Sequence, residues 1–227
     1  MADPTARARW LGRVGVLLVV AGLAVGAYVG WQVWGTNVVA QRTHRALVEE
    51  VESSWARAAE GSGSDAEPVD TDHGRVSAVV RIPRFGDDYA VPVLEGTDDA
   101  ALAAGFGRFT QAAEAGARGN FALAAHRITH GEPLRAMPEL RPGDEVVVET
   151  GRWTYTYVLD TGGDDLTVPF TAGWVLDDVP ENPAGGVQPE QEPGQRLLTL
   201  TTCSELFHTD DRLVAFGHLV SRAPTGR

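Results

Sequence analysis

The stretch Arg141–Leu159 reads RPGDEVVVETGRWTYTYVL, and it decides the fold class. It contains two runs rich in Val, Thr and Tyr, Glu145–Thr150 and Thr154–Leu159, with Gly151 in the short break between them. β-Branched and aromatic side chains pack well on a pleated sheet, and a short Gly-containing break between two such runs is typical of a hairpin. The stretch therefore predicts two antiparallel strands.

Runs of the same kind continue on both sides of this hairpin, and Gly or Pro residues punctuate them. They are Val76–Ile82, Tyr89–Leu94, Phe121–Arg127, Leu197–Thr202 and Leu213–Val220. The clearest helical pattern among them is short, Asp98–Ala104. Many short strands with few helices predict a mainly β domain, either a closed barrel or a sandwich, over residues 75–222, with residues 223–227 as a tail.

The amino terminus has a different character. From Val14 to Trp34 the chain reads VGVLLVVAGLAVGAYVGWQVW, 21 residues whose helix would span roughly 32 Å, enough for a hydrocarbon core of about 30 Å. Three basic residues precede this stretch: Arg7, Arg9 and Arg13. By the positive-inside rule the sequence predicts a cytoplasmic tail, residues 1–13, one transmembrane helix, residues 14–34, and an extracellular remainder. A signal peptide cleaved near Ala40 is the alternative, and it would export the remainder equally.

Two segments connect this stretch to the β domain. In residues 35–60, Leu47, Val51 and Trp55 recur at every fourth position, which is one face of a helix. This predicts a juxtamembrane helix that packs on the domain, or alternatively a solvated stalk. Residues 61–74, GSGSDAEPVDTDHG, are small and acidic and predict a flexible linker.

Composition excludes some classes of function. The formal net charge is −12, and all 19 basic side chains are Arg. Such an acidic chain is a poor nucleic-acid binder, because phosphate binding requires an excess of basic residues to displace counterions. The chain has one cysteine, Cys203, so an intramolecular disulfide is impossible. A free thiol is vulnerable to oxidation outside the cell, which makes a chemical role for Cys203 worth considering.

Three reactive side chains stand near predicted strand ends. Cys203 follows the run Leu197–Thr202, His126 ends another predicted strand, and Arg212 begins the last one. A thiol becomes a nucleophile when a neighbouring base or cation favours its thiolate. Arginine is a permanently charged donor for the oxyanion of an acyl-transfer intermediate. The spacing alone leaves two interpretations open, a convergent catalytic site or a structural cysteine with two surface residues.

Several motifs resemble those of the sortase family of cysteine transpeptidases. TLTTC at Thr199–Cys203, followed by Arg212-Leu213-Val214, is similar to the signature TLxTC with its downstream Arg-Leu-Ile/Val. Further similar segments are GNFALAAHRITHG at 119–131, RIPRFG at 81–86, VLEGTD at 93–98 and LRPGDEVVVET at 140–150. The resemblance extends from about Arg75 to Val220 and is nearest the actinobacterial class E branch.

The chain departs from the family pattern at three places. Ala125 stands before the histidine where Gly is usual, and GFGRF at Gly105–Phe109 replaces a common GPGHY. Ser204-Glu205 follows the cysteine where relatives often carry Pro at the second position. These departures leave all three reactive side chains present, and they put substrate preference in doubt.

The resemblance implies a sortase-type closed β-barrel with short helices, and a role for each reactive residue. Cys203 would attack the Thr–Gly bond of a C-terminal sorting signal, of Leu-Ala-x-Thr-Gly type in class E or Leu-Pro-x-Thr-Gly type more generally. His126 would transfer protons, Arg212 would stabilise the oxyanion, and Thr201 and Thr202 would contact the substrate. The implied partners are surface proteins with that signal and an amine of peptidoglycan or its lipid-linked precursor, with no cofactor. A housekeeping anchoring role is expected rather than pilus assembly.

Alternative interpretations remain. His126 and His130, with Cys203 and His208, could form a zinc site, but a spacing of four helps only on a helix. Three acidic pairs could bind calcium, although the ligand spacing of a calcium loop is missing. They are Asp164-Asp165, Asp177-Asp178 and Asp210-Asp211. The non-enzymatic alternative is a tethered extracellular β module that binds wall or protein partners.

Overall fold

The computed structural model describes residues 4–31, 36–60, 68–203 and 210–226. In these ranges the helices are α1 (Pro4–Gly30), α2 (Thr36–Glu60) and α3 (Asp99–Ala104). The strands are β1 (Val69–Thr71), β2 (Gly74–Arg81), β3 (Val91–Glu95), β4 (Phe106–Arg108), β5 (Gly119–Ala124), β6 (Glu145–Glu149), β7 (Trp153–Leu159), β8 (Leu166–Pro169), β9 (Arg196–Cys203) and β10 (Asp211–Pro224). Short 3₁₀ segments occur at Pro83–Phe85, Met137–Glu139 and Gly173–Leu176.

Eight of these described strands form a closed barrel in the order β2-β3-β4-β5-β9-β10-β7-β6. The barrel closes where β6 pairs with β2, with Glu149 opposite Val79 and Val147 opposite Arg81. The pairs β3–β4 and β5–β9 are parallel, and the other neighbours are antiparallel. β1 extends the sheet beside β2, and β8 pairs with the start of β10. The predicted mainly β closed barrel is confirmed.

The predicted hairpin is the β6–β7 pair, in which Glu149 lies opposite Thr154. Alternate residues of β7 face the interior, and Tyr157 is fully buried there. Its ring stacks on Phe121 of β5 with the centroids 6.4 Å apart. The barrel interior is therefore filled by large side chains from opposite walls, which agrees with the period of two that the sequence shows in β7.

Two predicted boundaries are wrong. β1 lies inside the predicted linker, residues 61–74. Its side chains are mostly polar, but its main chain pairs with β2, and Val69 lies opposite Val76. The Thr71 hydroxyl donates to Gly74 O over 2.7 Å and supports the turn between the two strands. At the other end, β10 continues to Pro224, so the predicted tail 223–227 begins inside a strand that pairs with Trp153. The predicted linker residues 61–67 lie outside the described part of the chain.

Helix α2 packs on the barrel, which favours the predicted packed helix over a solvated stalk. The predicted face is buried, with Trp55 only 1% exposed. Its neighbours are Leu47 and Val51 on α2, Val76, Val79 and Leu94 on the barrel, and Ala101 and Ala104 on α3. Glu52 of α2 also forms an ion pair with Arg81, 2.6 Å long.

Helix α1 begins at Pro4, so it includes most of the predicted tail 1–13 as well as the apolar stretch that follows. Large apolar side chains along it, such as Leu17 and Leu23, are exposed. In the described part of the chain, no helix is both long enough and apolar enough to cross a membrane. Residues 32–34 of the predicted span lie outside that part.

Replacing Trp55 with Ala is expected to lower the free energy of unfolding by about 3–5 kcal/mol, because it leaves a cavity between α2 and the barrel. Val38→Ala, at an exposed position of the same helix, is the control and should change it by less than about 0.5 kcal/mol. Urea unfolding followed by far-UV circular dichroism measures both values. Equal effects of the two substitutions would show that α2 unfolds separately from the barrel.

Candidate active site

Three adjacent strands bring the reactive residues to one end of the barrel. In the parallel pair β5–β9, Ala124 lies opposite Thr201, so continuing this register places His126 level with Cys203. In the antiparallel pair β9–β10, Cys203 lies directly opposite Arg212. Residues that are far apart in the sequence thus share one edge of the sheet.

His126 lies two residues beyond the end of β5, and not within a strand as predicted. The strand ends at Ala124, and β9 then holds both main-chain groups of the next residue, Ala125. Ala125 N donates to Thr201 O over 3.2 Å, and the Thr202 hydroxyl donates to Ala125 O over 2.7 Å. Because Thr202 is only 3% exposed, this bond fixes the main chain just before His126.

A groove of about 390 Å³ opens at this end of the barrel. Its walls come from the segment containing α3, from the end of β5, and from the segment between β8 and the 3₁₀ turn that follows. The lining residues are Thr97, Asp99, Leu102, Phe109, Ala124, Ala125, His126, Val168, Pro169, Phe170, Thr171, Ala172, Gly173, Val175, Leu176, Thr201, Thr202 and Arg212. A mainly apolar groove with a few polar side chains is typical of a ligand site.

The His126 imidazole is half-buried and stacks on the ring of His130, with centroids 4.7 Å apart and planes 28° apart. Burial lowers the pKa of His126, and the nearby His130 lowers it further, while the Asp99 carboxylate opposes both effects. The imidazole is therefore mainly neutral at pH 7, the form that accepts a proton from a neighbouring thiol or amine.

Arg212 brings a guanidinium to the groove. Its Cζ lies 5.2 Å from the ring centroid of Phe170, and Nη1 donates to Asp211 O over 3.0 Å. Phe170 is 69% exposed, so the cation–π contact leaves this aromatic ring open to solvent at the groove edge. Neither Phe170 nor Asp99 was predicted from the sequence as a site residue, although both line the groove. The preceding run, Leu166–Pro169, is too short to be recognised as a strand.

One departure from the family pattern lies in the groove wall. Within GFGRF, Gly105 and Gly107 have no room for a side chain, because an added Cβ would come within 2.3 Å of Pro92 O and 2.5 Å of Gly96 O. Arg108 pairs with Glu95 over 2.5 Å, and Phe109 lines the groove. Close packing therefore requires glycine at positions 105 and 107, and Phe109 is the residue of this motif that lines the groove.

The structure describes Cys203 as the last residue of β9, whereas residues 204–209 lie outside the described part. Two predictions from the sequence concern those positions, the Ser204-Glu205 departure and His208 as a zinc ligand. Across the described ranges, no group of three or more His, Cys, Asp or Glu side chains is arranged to hold a metal ion.

Comparison with known proteins gives consistent matches. Residues 80–220 match the model of the sortase domain. The chain is 32% identical to sortase SrtE1 of Streptomyces coelicolor over 222 residues, covering 94% of this chain and 58% of that protein. A structure of sortase E from Streptomyces avermitilis is 41% identical, with a TM-score of 0.57, over 68% of this chain and 93% of that one. Sortase E1 from Streptomyces coelicolor, determined with a tripeptide in its active site, is 31% identical, with a TM-score of 0.57, over 69% of this chain and 94% of that one.

The two groups beside His126 should move its pKa in opposite directions. Asp99→Asn removes a favourable carboxylate and should lower the pKa, whereas His130→Gln removes an unfavourable neighbour and should raise it. An NMR titration of the His126 ring measures the midpoint, which should lie below about 6.5 in the unmodified chain. If both substitutions moved the midpoint in the same direction, the opposite effects assigned to Asp99 and His130 would be wrong.

Proposed function

The chain belongs to the sortase family of cysteine transpeptidases, and we propose that it cleaves the Thr–Gly bond of a C-terminal sorting signal. The Thr carboxyl group would then be joined to an amine of the cell wall. The chain spans 58% of the length of SrtE1. The proposed activity therefore rests on the site residues of this chain and not on SrtE1 as a whole. The observation that carries the proposal is the register of β5, β9 and β10, which aligns His126, Cys203 and Arg212 beside an apolar groove.

In the first half of the reaction, neutral His126 accepts the proton of the Cys203 thiol, and the resulting thiolate attacks the Thr carbonyl carbon and forms a C–S bond. The carbonyl oxygen becomes an oxyanion, which the Arg212 guanidinium stabilises. The C–N bond to Gly then breaks, and His126 donates a proton to the departing Gly amine. The products are a thioacyl enzyme and the released Gly-side peptide.

In the second half, an amine attacks the thioester carbon. His126, now neutral, accepts the proton that this amine loses as it forms the new C–N bond. The C–S bond breaks and returns the electron pair to the Cys203 sulfur. The lowered pKa of His126 supports this step, since a neutral imidazole is the form that acts as base.

The groove supports an extended peptide as the substrate, because most of its walls are apolar and a few polar side chains, such as His126 and Arg212, line it. The related sortase E1 has a tripeptide in its active site. We infer a signal of the Leu-Ala-x-Thr-Gly type, which is the expectation for the class E branch. The acceptor is the amine of peptidoglycan or its lipid-linked precursor, and the role is general anchoring of surface proteins.

Thr201 and Thr202 both line the groove, and they support the substrate contacts in different ways. The Thr202 hydroxyl donates its proton to Ala125 O, so it meets a substrate only as an acceptor. We therefore assign Thr202 mainly to holding His126 and Thr201 to the groove floor. No cofactor is part of the proposed chemistry, since thiol, imidazole and guanidinium supply every group that it needs.

We further propose that residues 14–34 anchor the chain to the cell membrane, with the barrel outside. The support is the mainly apolar sequence after Arg13, which carries no charged side chain up to Trp34, and the exposed apolar side chains on α1. Exposed apolar surface of this extent is unfavourable in water and favourable in lipid. The association of sortases with the cell surface supports the same placement.

The transpeptidase proposal is tested with the full chain, a quenched Leu-Ala-x-Thr-Gly peptide and an amine acceptor. Cys203→Ala should abolish transfer. His126→Ala should reduce kcat by roughly 10²–10⁴-fold and Arg212→Ala by roughly 10²–10³-fold, the usual losses for a general acid–base group and an oxyanion donor. Mass spectrometry of the transfer product and of the thioacyl enzyme provides the readout.

Two matched controls lie on β10 outside the groove: His218→Ala and Arg222→Ala. They should leave transfer unchanged. Absence of cleavage with both Ala and Pro at the second signal position would refute the proposed enzyme. Retained partner binding in Cys203→Ala would then favour the tethered β module.

The anchor is tested by membrane fractionation. Val20→Arg combined with Leu23→Arg should release the chain from the membrane, because each central Arg costs about 2.5–3.5 kcal/mol on insertion. The control combines Val20→Leu with Leu23→Val, which preserves apolar character. If the unmodified chain were recovered in the soluble fraction, residues 14–34 would not be an anchor.

A further inference from the structure

The first turns of α2 contact the loop that follows His126. The Asn37 side chain, 8% exposed, uses both ends of its amide in this contact. Nδ2 donates to Glu132 Oε1 over 2.7 Å and to Ile128 O over 3.4 Å, and Oδ1 accepts from Gly131 N over 3.1 Å. One buried amide thus satisfies three groups of a loop more than 90 residues away in the sequence.

That loop has an unfavourable main-chain conformation. Three consecutive residues have positive φ: His130 at 53°, Gly131 at 82° and Glu132 at 55°. Left-handed conformations are unfavourable for a residue with a side chain, so the positions of His130 and Glu132 are strained. Strain of this kind persists only where surrounding contacts hold it.

The contacts divide the loop into two parts. Leu134 N donates to His126 O over 3.1 Å, which joins the two ends of the loop, and the Tyr89 hydroxyl donates to Pro133 O over 2.8 Å, which ties one end to the segment before β3. The strained middle, residues 128–132, is held by Asn37, together with the bond from Glu132 N to Thr129 O and the ion pair of Glu132 with Arg135. Since this middle carries the His130 ring that stacks on His126, its conformation determines what lies against that imidazole.

A second residue of α2 supports the same contact. His44 is only 4% exposed, and its ring lies so close to Gly131 that an added Cβ there would come within 2.7 Å of Cε1. Burial lowers the pKa of His44 to about 4, so the ring is neutral and places no additional cation beside His130. Gly131 is therefore required for close packing and for its positive φ.

We propose that Asn37 is a positioning residue for His126, because it holds the strained loop 128–132 that keeps His130 against the His126 ring. This inference rests on the proposed proton-transfer role of His126. It makes α2 a functional part of the active site, in addition to a packed helix beside the barrel. A chain that begins after α2 would lack the contact.

Three variants of the full chain test this role. Asn37→Ala removes all three hydrogen bonds. Asn37→Asp combined with Glu132→Gln exchanges donor and acceptor at the same net charge, so that the introduced carboxylate accepts from Gly131 N and from the introduced amide. The bond to Ile128 O and the ion pair of Glu132 with Arg135 are lost in this variant. Val51→Ala weakens the packing of α2 at a fully buried position away from the loop, and it controls for stability.

In Asn37→Ala we expect kcat for transpeptidation to fall between about tenfold and a hundredfold, as for other small misplacements of a catalytic group. KM should stay within about twofold, because the groove itself is unchanged. The NMR midpoint of His126 should rise as His130 moves away, with Asp99 then the main charged neighbour. The Gly131 amide should exchange faster with solvent. The paired exchange keeps two of the three hydrogen bonds and should reverse most of each change.

The inference would be overturned if Val51→Ala, at an equal loss of melting temperature, produced the same changes. It would also be overturned if Asn37→Ala left the His126 midpoint and the Gly131 exchange rate unchanged. These two readouts do not depend on turnover. If the unmodified chain failed to transfer a peptide, the proposed function would fail while the positioning contact could still be measured.

Discussion

The pairing of β9 with β5 on one side and β10 on the other is the constraint on which the site depends. Because side chains alternate between faces, a slip of one residue in either pair would turn Thr202 or Arg212 to the other side of the sheet. The same pairing closes the barrel through β10, β7 and β6, so the core and the site share one register. The packed interior therefore fixes the positions of groups that contribute little to stability themselves.

The groove is built from elements that add to this frame at its open end. α3 begins with Asp98, whose carboxylate accepts from the amides of Ala100 and Ala101, and this cap places Asp99 beside His126. Opposite it, the chain after β8 brings Phe170 over Arg212. These two walls lie outside the eight-stranded barrel, whereas Ala124, Thr201 and Thr202 line the groove from the barrel itself.

Helix α2 connects the amino-terminal segment to the same site. It packs along the outside of the barrel through Trp55 and its neighbours and reaches the loop after His126 with Asn37. Packing of one helix face thus places a polar group at a distant, strained loop. If α1 lies in a membrane, the barrel end that carries the groove is tied to the membrane-proximal part of the chain through α2.

The sequence by itself determined the fold class, the β6–β7 hairpin, the short helix at α3 and the family, because these depend on local alternation and on short motifs. It also singled out Cys203, His126 and Arg212 by residue type. It did not reveal β1, β4 and β8, whose three or four residues carry too little pattern, or the end of β5 before His126. Only the tertiary structure decided the common register of β5, β9 and β10, the burial that lowers the pKa of His126, and the contact of Asn37 with residues 128–132. Each of these requires groups far apart in the chain to meet, and no local pattern encodes such a meeting.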